Sequence, residues 1–235
     1  NDTKLFHWAG FTFSWYQKLF HNQTIINAFF NSLKLAVLSS GLAAILGTMG
    51  AVGMAGRTFF GKGALEGLST VPIMIPEIIL GMAYLSFFSI LQVPFGMVTL
   101  IIAHTTFCLP YVVLSIMPKL HQMDPHLYEA AQDLGCPPVR AFFKVVLPEI
   151  MPGIVTGMIM AFTLSIDDFV ISYFTSGTTQ TLPIYIYSMT RKRISPEINA
   201  LSTVLFVCIM LLLIIINVRQ GREERRAKKA ERERA

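Results

Sequence analysis

Three carboxylates lie well away from the ends of otherwise apolar stretches of this sequence, and their type and placement suit them to act on a charged ligand. Glu77 follows Pro76 in one apolar stretch, and Asp167 and Asp168 are adjacent in another. A carboxylate near the centre of a membrane span costs about 2.5 kcal/mol or more, so each should face a protein interior or a wet cavity. Lys34 is the only basic residue inside the apolar stretches. The sequence therefore predicts an anionic interior that suits a cation.

Structural roles for the same carboxylates stay open at this point. Glu77 could partner a backbone carbonyl that Pro72 or Pro76 frees from the helix ladder. Adjacent helical residues point about 100° apart, so one of Asp167 and Asp168 could meet a ligand while the other pairs with a neighbouring helix. A purely structural acidic pair is the remaining alternative.

The elements that carry these residues are predicted to be membrane-spanning helices. The chain has 235 residues, of which 53% are hydrophobic and 14% charged, and its mean hydropathy is +0.56. This composition is too apolar for an ordinary soluble domain. A spanning helix needs roughly 20 apolar residues. The stretches that meet this length run over about residues 28–55, 65–91, 97–118, 150–173 and 198–218. We expect an all-α integral membrane protein with five visible spans.

Two tyrosines within these spans are further candidate ligand residues. Tyr84 lies in the second span and Tyr173 at the end of the fourth. The face of a tyrosine ring attracts an ammonium group. Either tyrosine also fits the membrane interface, where such rings are enriched.

Basic residues orient the spans. Residues 219–235 contain eight basic and four acidic side chains. By the positive-inside rule this tail is cytoplasmic, and five spans then place residue 1 outside. The basic run 191–193 would be external and is the exception. We predict an external interfacial segment over 1–27, a transmembrane domain over 28–218, and a basic tail over 219–235 that meets lipid rather than nucleic acid.

The polar interval between the third and fourth spans predicts two short helices at the cytoplasmic surface. Asp124-Pro125 is typical of a helix start, and Gly135 of a left-handed helix end. Pro137-Pro138 then begins a second short helix. The spaced residues of this interval are Glu129, Ala130, Ala131, Gly135, Val145, Leu147 and Pro148.

This spacing resembles the EAA loop of ABC-importer permeases, with Val145 where that family usually has isoleucine. The resemblance implies the MetI-like fold with six transmembrane helices. Because the chain starts at Asn1 without an initiating methionine or a signal peptide, we expect the sixth helix to precede it. The resemblance also implies that the loop 119–148 docks into a cleft of an ATPase subunit. The implied coupling residues are Glu129, Ala130, Ala131, Gly135, Leu147 and Pro148.

Other stretches resemble the polyamine-type permeases of this family, namely residues 104–110, 129–135, 162–168, 182–189 and 195–200. The resemblance implies a subunit of the bacterial inner membrane that moves spermidine or putrescine inward by alternating access. It implies three kinds of partner: a homologous second permease, two ATPase subunits and an external polyamine-binding protein. In such an importer the acidic residues would line the path of the polyamine. Membrane lipid is the partner expected for the basic tail.

No catalytic, metal or cofactor site is predicted in the chain itself. Residues 56–63 nearly fit a phosphate-binding loop, but Gly63 replaces the hydroxyl residue and a spanning helix precedes the loop. ATP and magnesium should therefore bind the partner ATPase. The cysteines and histidines show no metal-ligand spacing. The alternatives are a permease of the same fold for another solute, or a membrane-embedded enzyme, which would need a ligand or acid–base motif that the sequence lacks.

Overall fold

The computed structural model describes residues 14–55, 60–124, 126–192, 199–204, 206, 207, 210 and 214. All regular secondary structure within these ranges is helical, which confirms the predicted all-α class. The helices are α1 (Ser14–His21), α2 (Gln23–Ala55), α3 (Lys62–Met74), α4 (Glu77–Ile90), α5 (Met97–Gln122), α6 (His126–Asp133), α7 (Pro138–Ala141), a π-helix (Phe142–Val146), α8 (Leu147–Asp167), α9 (Val170–Thr175) and α10 (Leu182–Lys192).

The chain divides into two compact units. One comprises Asn27–Tyr185 and contains the predicted acidic residues and the coupling interval. The other combines Asn1–Ile26 with Ile186–Ala235. In the second unit the Lys18 ammonium lies 4.5 Å from the centre of the Trp15 ring, a cation–π contact of the kind found at membrane interfaces.

Among the residues that the structure describes, three helical segments are long and apolar enough to cross a membrane: Gln23–Ala55, Met97–Gln122 and Pro138–Asp167. They correspond to the predicted first, third and fourth spans. Helices α3 and α4 together make a fourth candidate, although they are bent by 110° at the break between them. The predicted fifth span, 198–218, lies largely outside the described residues.

The second span is broken where the sequence predicted one helix over 65–91. Pro76 has no N–H group and restricts the residue before it to extended conformations. Accordingly, Ile75 is extended, with a ψ of 132°, and its N–H donates to the Val71 carbonyl. The chain resumes helical geometry at Glu77. The break therefore places this carboxylate at the N-terminus of α4, where the helix dipole stabilises a negative charge.

Helices α5 and α8 pack backbone to backbone at two glycines. A Cβ atom added at Gly157 would lie 2.9 Å from the Cα of Val112. One added at Gly153 would lie 2.8 Å from the Ser115 carbonyl oxygen. Small residues allow this approach between membrane helices, where van der Waals packing replaces the hydrophobic effect. The close contact fixes the first half of α8 against α5.

Candidate functional site

Helix α8 ends at Asp167, and Asp168 has extended geometry with a φ of −66° and a ψ of 124°. The expectation of one continuous helix through both aspartates is therefore wrong. The physical reason is a cap: Asp168 Oδ2 accepts the Ser172 N–H at 2.8 Å, and Oδ1 accepts the Ile171 N–H at 3.3 Å. A carboxylate in this position satisfies the free amides at the start of α9.

The Asp168 carboxylate also belongs to a buried polar cluster around His104 of α5. His104 Nε2 lies 3.4 Å from Asp168 Oδ2 and 3.0 Å from Ser172 Oγ. On the other side of the ring, Nδ1 lies 2.9 Å from Ser165 Oγ. Ser165 in turn contacts Ser39 Oγ of α2 at 2.9 Å. We call these five residues the His104 cluster.

Although Asp167 and Asp168 are adjacent in sequence, their side chains lie in different environments. Asp168 is 8% exposed, whereas Asp167 is an exposed residue at the last turn of α8. Glu77 is also exposed, and its carboxylate lies within electrostatic range of both Asp168 and Asp167. The structure thus brings the three predicted carboxylates together, at the meeting of the broken second span and the end of α8. We call these three residues the acidic site.

Three tyrosines lie on the helices that meet at this end of the bundle. Tyr111 of α5 is within electrostatic range of Glu77 and was not predicted. Tyr84 lies on α4, which begins at Glu77, and its ring stacks on that of Phe88 with 6.3 Å between the ring centres. Tyr173 of α9 is 50% exposed, with its ring centre 5.4 Å from that of Phe169. The face of a tyrosine ring attracts an ammonium group.

The residue types in the His104 cluster match those of a serine hydrolase, but their burial excludes that chemistry. Ser165, His104 and Asp168 form a row in which the imidazole lies between a hydroxyl 2.9 Å away and a carboxylate oxygen 3.4 Å away. A nucleophile must reach a substrate carbonyl. Ser165 is 2% exposed and His104 is 0% exposed. Within the described ranges, no three histidine, cysteine, aspartate or glutamate side chains are placed to hold a metal ion.

Sequence reasoning did not identify His104 as a site residue. The available signal was a histidine inside an apolar span, which must find polar partners when it is buried. Its partners are distant in sequence, since Ser165 and Ser172 lie 61 and 68 residues further along the chain. Their pairing depends on how α5, α8 and α9 pack, which the local sequence does not reveal.

The coupling interval forms the predicted pair of short helices. Asp124 Oδ1 accepts the His126 N–H at 2.9 Å at the start of α6. Gly135 has a φ of +82°, and the following Cys136 N–H donates to the Ala131 carbonyl, which closes the helix as a left-handed cap. Pro138 is the first residue of α7. These features confirm the predicted helix boundaries; Pro125 lies outside the described residues.

The outer face of this interval is exposed. The Glu129 side chain is 74% exposed, with Oε2 lying 3.6 Å from His126 Nδ1. Ala130 is exposed and Ala131 is half-buried. Two large apolar side chains of the interval are also exposed to solvent, Leu134 at 89% and Val139 at 70%. We call residues 126–139 the coupling surface.

Leu147 and Pro148 lie beyond this surface, in the first turn of α8. Between them and α7 is the π-helix, in which the Leu147 N–H donates to the Phe142 carbonyl five residues earlier. Pro148 has no N–H to donate, and such a gap in the helix ladder favours the wider turn. The π-helix was not predicted. It links the coupling surface directly to the helix that ends at Asp167.

Comparison with known proteins places this geometry in a family. The family model for the inner membrane component of binding-protein-dependent transport systems matches residues 41–229. The spermidine/putrescine permease PotC of Haemophilus influenzae is 37% identical over 209 residues, covering 88% of this chain and 81% of that protein. PotC of Escherichia coli K12 is 38% identical, with 88% and 79% covered. The putrescine permease PotI of the same strain is 40% identical over 215 residues, with 87% and 76% covered.

Solved structures show the same fold at low sequence identity. A chain of the MetNI methionine ABC transporter, in inward-facing conformations, matches with a TM-score of 0.66 and 18% identity, covering 83% of this chain and 93% of that chain. An amino acid ABC transporter crystallised with histidines matches with a TM-score of 0.61 and 18% identity, covering 89% and 100%. The chain therefore belongs to the inner membrane components of binding-protein-dependent transport systems, which are multi-pass transport permeases that work with other subunits and are not enzymes.

Proposed function

We propose that this chain is the permease subunit of an ATP-driven importer that moves polyamines, such as spermidine and putrescine, into the cell by alternating access. The acidic site carries the proposal, because it gathers three carboxylates within electrostatic range of one another. A polyamine is a flexible chain of ammonium groups, and its charges match those of such a site. The relatives with the quoted identities are permeases named for spermidine and putrescine.

The exposure of each carboxylate suggests its role. Asp167 and Glu77 are exposed and are the proposed ligands of the ammonium groups. Asp168 is buried and already accepts two backbone N–H groups, so it contributes negative charge from within the wall of the site. Tyr84 and Tyr173 are proposed to flank the polyamine with their ring faces. The alternation of charged and apolar groups along a polyamine fits this mixed lining.

The coupling surface is proposed to dock into a partner ATPase subunit. ATP and magnesium would bind there, since the chain itself has no complete phosphate-binding loop. Closing of the two ATPase subunits would move α6 and α7, and the π-helix would pass that movement to α8. Because α8 ends at Asp167, the same movement reaches the acidic site. A homologous second permease would complete the pathway, and an external binding protein would deliver the polyamine.

The test is transport by the complete complex in sealed vesicles supplied with its external binding protein. We expect saturable, ATP-dependent uptake of labelled spermidine, with putrescine competing and methionine not competing. Spermidine loaded on the binding protein should also raise the rate of ATP hydrolysis. Import of an amino acid instead of spermidine would contradict the polyamine assignment. Import of spermidine without ATP would contradict the ATP-driven mechanism.

A further inference from the structure

His104 contacts the chain on both sides of Asp167. Ser165 lies two residues before Asp167 and is 2.9 Å from His104 Nδ1. Asp168 follows directly, with its Oδ2 3.4 Å from His104 Nε2, and Ser172 Oγ is 3.0 Å from the same nitrogen. One buried side chain of α5 therefore holds both flanks of the residue that we propose to bind an ammonium group.

We propose that His104 is a positioning residue of the acidic site: it holds the turn between α8 and α9 so that Asp168 stays buried and Asp167 is presented to the cation. This inference rests on the proposed function for its transport test. It assigns different roles to two adjacent aspartates and gives a role to a histidine that need not touch the substrate.

The hydrogen bonds of the cluster are complete with a neutral imidazole. With the proton on Nε2, the ring donates to Ser172 Oγ, and the Asp168 carboxylate accepts the Ile171 and Ser172 N–H groups. Nδ1 then accepts from the Ser165 hydroxyl. The Ser39 hydroxyl, 2.7 Å from the Leu35 carbonyl, donates to Ser165 Oγ when it turns away from that carbonyl. Each of these buried side chains has a partner in this arrangement. A fully satisfied buried network rigidifies its surroundings, whereas a broken one leaves unpaired polar groups in a low-dielectric interior.

Other contacts keep α9 docked independently of His104. Thr99 Oγ1 of α5 donates to the Thr175 carbonyl at 2.8 Å. A Cβ added at Gly81 of α4 would lie 2.5 Å from the Phe174 ring, so α4 and α9 are in close contact. Variants at His104 should therefore still fold and assemble. What they lose is the local hold on the turn that carries Asp167.

A pair of substitutions separates the two sides of the imidazole. The terminal amide of glutamine reaches the position of Nε2, so His104→Gln keeps a donor towards Ser172 and Asp168. The shorter asparagine reaches only the position of Nδ1. His104→Asn therefore keeps the contact to Ser165 but loses the contacts to Ser172 and Asp168. A matched control is Thr105→Val, because Thr105 is buried and its hydroxyl has no hydrogen-bond partner among the described residues.

The transport test uses the complete complex in vesicles, with spermidine as the probe and rates divided by the amount of assembled complex. We expect His104→Asn and His104→Ala to raise the apparent KM about tenfold, which corresponds to about 1.4 kcal/mol, the size of one lost buried hydrogen bond. His104→Gln and Thr105→Val should keep the parental KM. Variants that lower only the amount of assembled complex, with an unchanged KM, would show a structural role and overturn the inference.

A second measurement does not depend on transport. The native cysteines of the complex are replaced by alanine, and a single cysteine is introduced by Asp167→Cys. The rate at which this thiol reacts with a cationic methanethiosulfonate reagent measures how accessible position 167 is to a cation. We expect a rate about tenfold lower with His104→Asn than with His104→Gln, which matches the loss expected for KM. Equal rates would overturn the positioning role. Failure of the parental complex to import spermidine would refute the proposed function and leave this comparison to decide the role of His104.

Discussion

Gly157→Ala tests the close packing between the middle of α8 and α5. The added Cβ would lie 2.9 Å from Val112 Cα and 3.2 Å from Ser115 Cβ. Carbon atoms prefer separations of about 3.5–4.0 Å, so α5 and α8 would have to part by about 0.6–1 Å. The Val112 atom belongs to the backbone and has no rotamer by which to move aside. Such overpacking costs about 1–3 kcal/mol.

The control for this substitution is Gly50→Ala in α2, where an added Cβ meets no atom within 4 Å. Both changes gain the same helix propensity, about 1 kcal/mol, so the difference between them isolates the packing cost. The assay is thermal unfolding of the purified complex in detergent. At about 2–4 °C per kcal/mol, Gly157→Ala should unfold about 2–12 °C below Gly50→Ala. Equal midpoints, or a higher midpoint for Gly157→Ala, would refute the close contact between α5 and α8.

Two further predictions concern the coupling surface. Glu129→Lys should remove the stimulation of ATP hydrolysis by loaded binding protein while the complex still assembles, because the exposed carboxylate is proposed to contact the ATPase; unchanged stimulation would exclude that contact. A membrane-impermeant maleimide should label the half-buried Cys136 in inside-out vesicles only, while the buried Cys108 stays unlabelled in both orientations. Labelling of Cys136 from the external side would contradict the predicted topology.

Features that depend on local sequence were predicted well. The helices that match the first, third and fourth spans follow from runs of apolar residues long enough to cross a membrane. The helix boundaries in the coupling interval follow from Gly135 and Pro138, whose backbone preferences act at their own positions. The three carboxylates were recognised as a group because charge is rare in apolar spans.

Features that depend on tertiary contacts were not predicted. The end of α8 at Asp167 reflects the cap that Asp168 makes on α9, and that carboxylate is also held by His104 of a distant helix. Pro76 suggested freed carbonyl groups but not a bend of 110° between α3 and α4. The π-helix before Leu147 was missed because one extra residue in a helical turn leaves no clear mark in the apolar pattern.

The central claim is that exposed carboxylates at the end of α8 and the start of α4 bind the polyamine. Its most direct measurement is the apparent KM for spermidine of complexes carrying Asp167→Asn, compared with the parental complex at equal amounts of assembled protein. Loss of one charged contact of about 1.5 kcal/mol or more should raise KM about tenfold or more. An Asp167→Asn complex that imports spermidine with the parental KM would contradict the acidic site as the place where the polyamine binds.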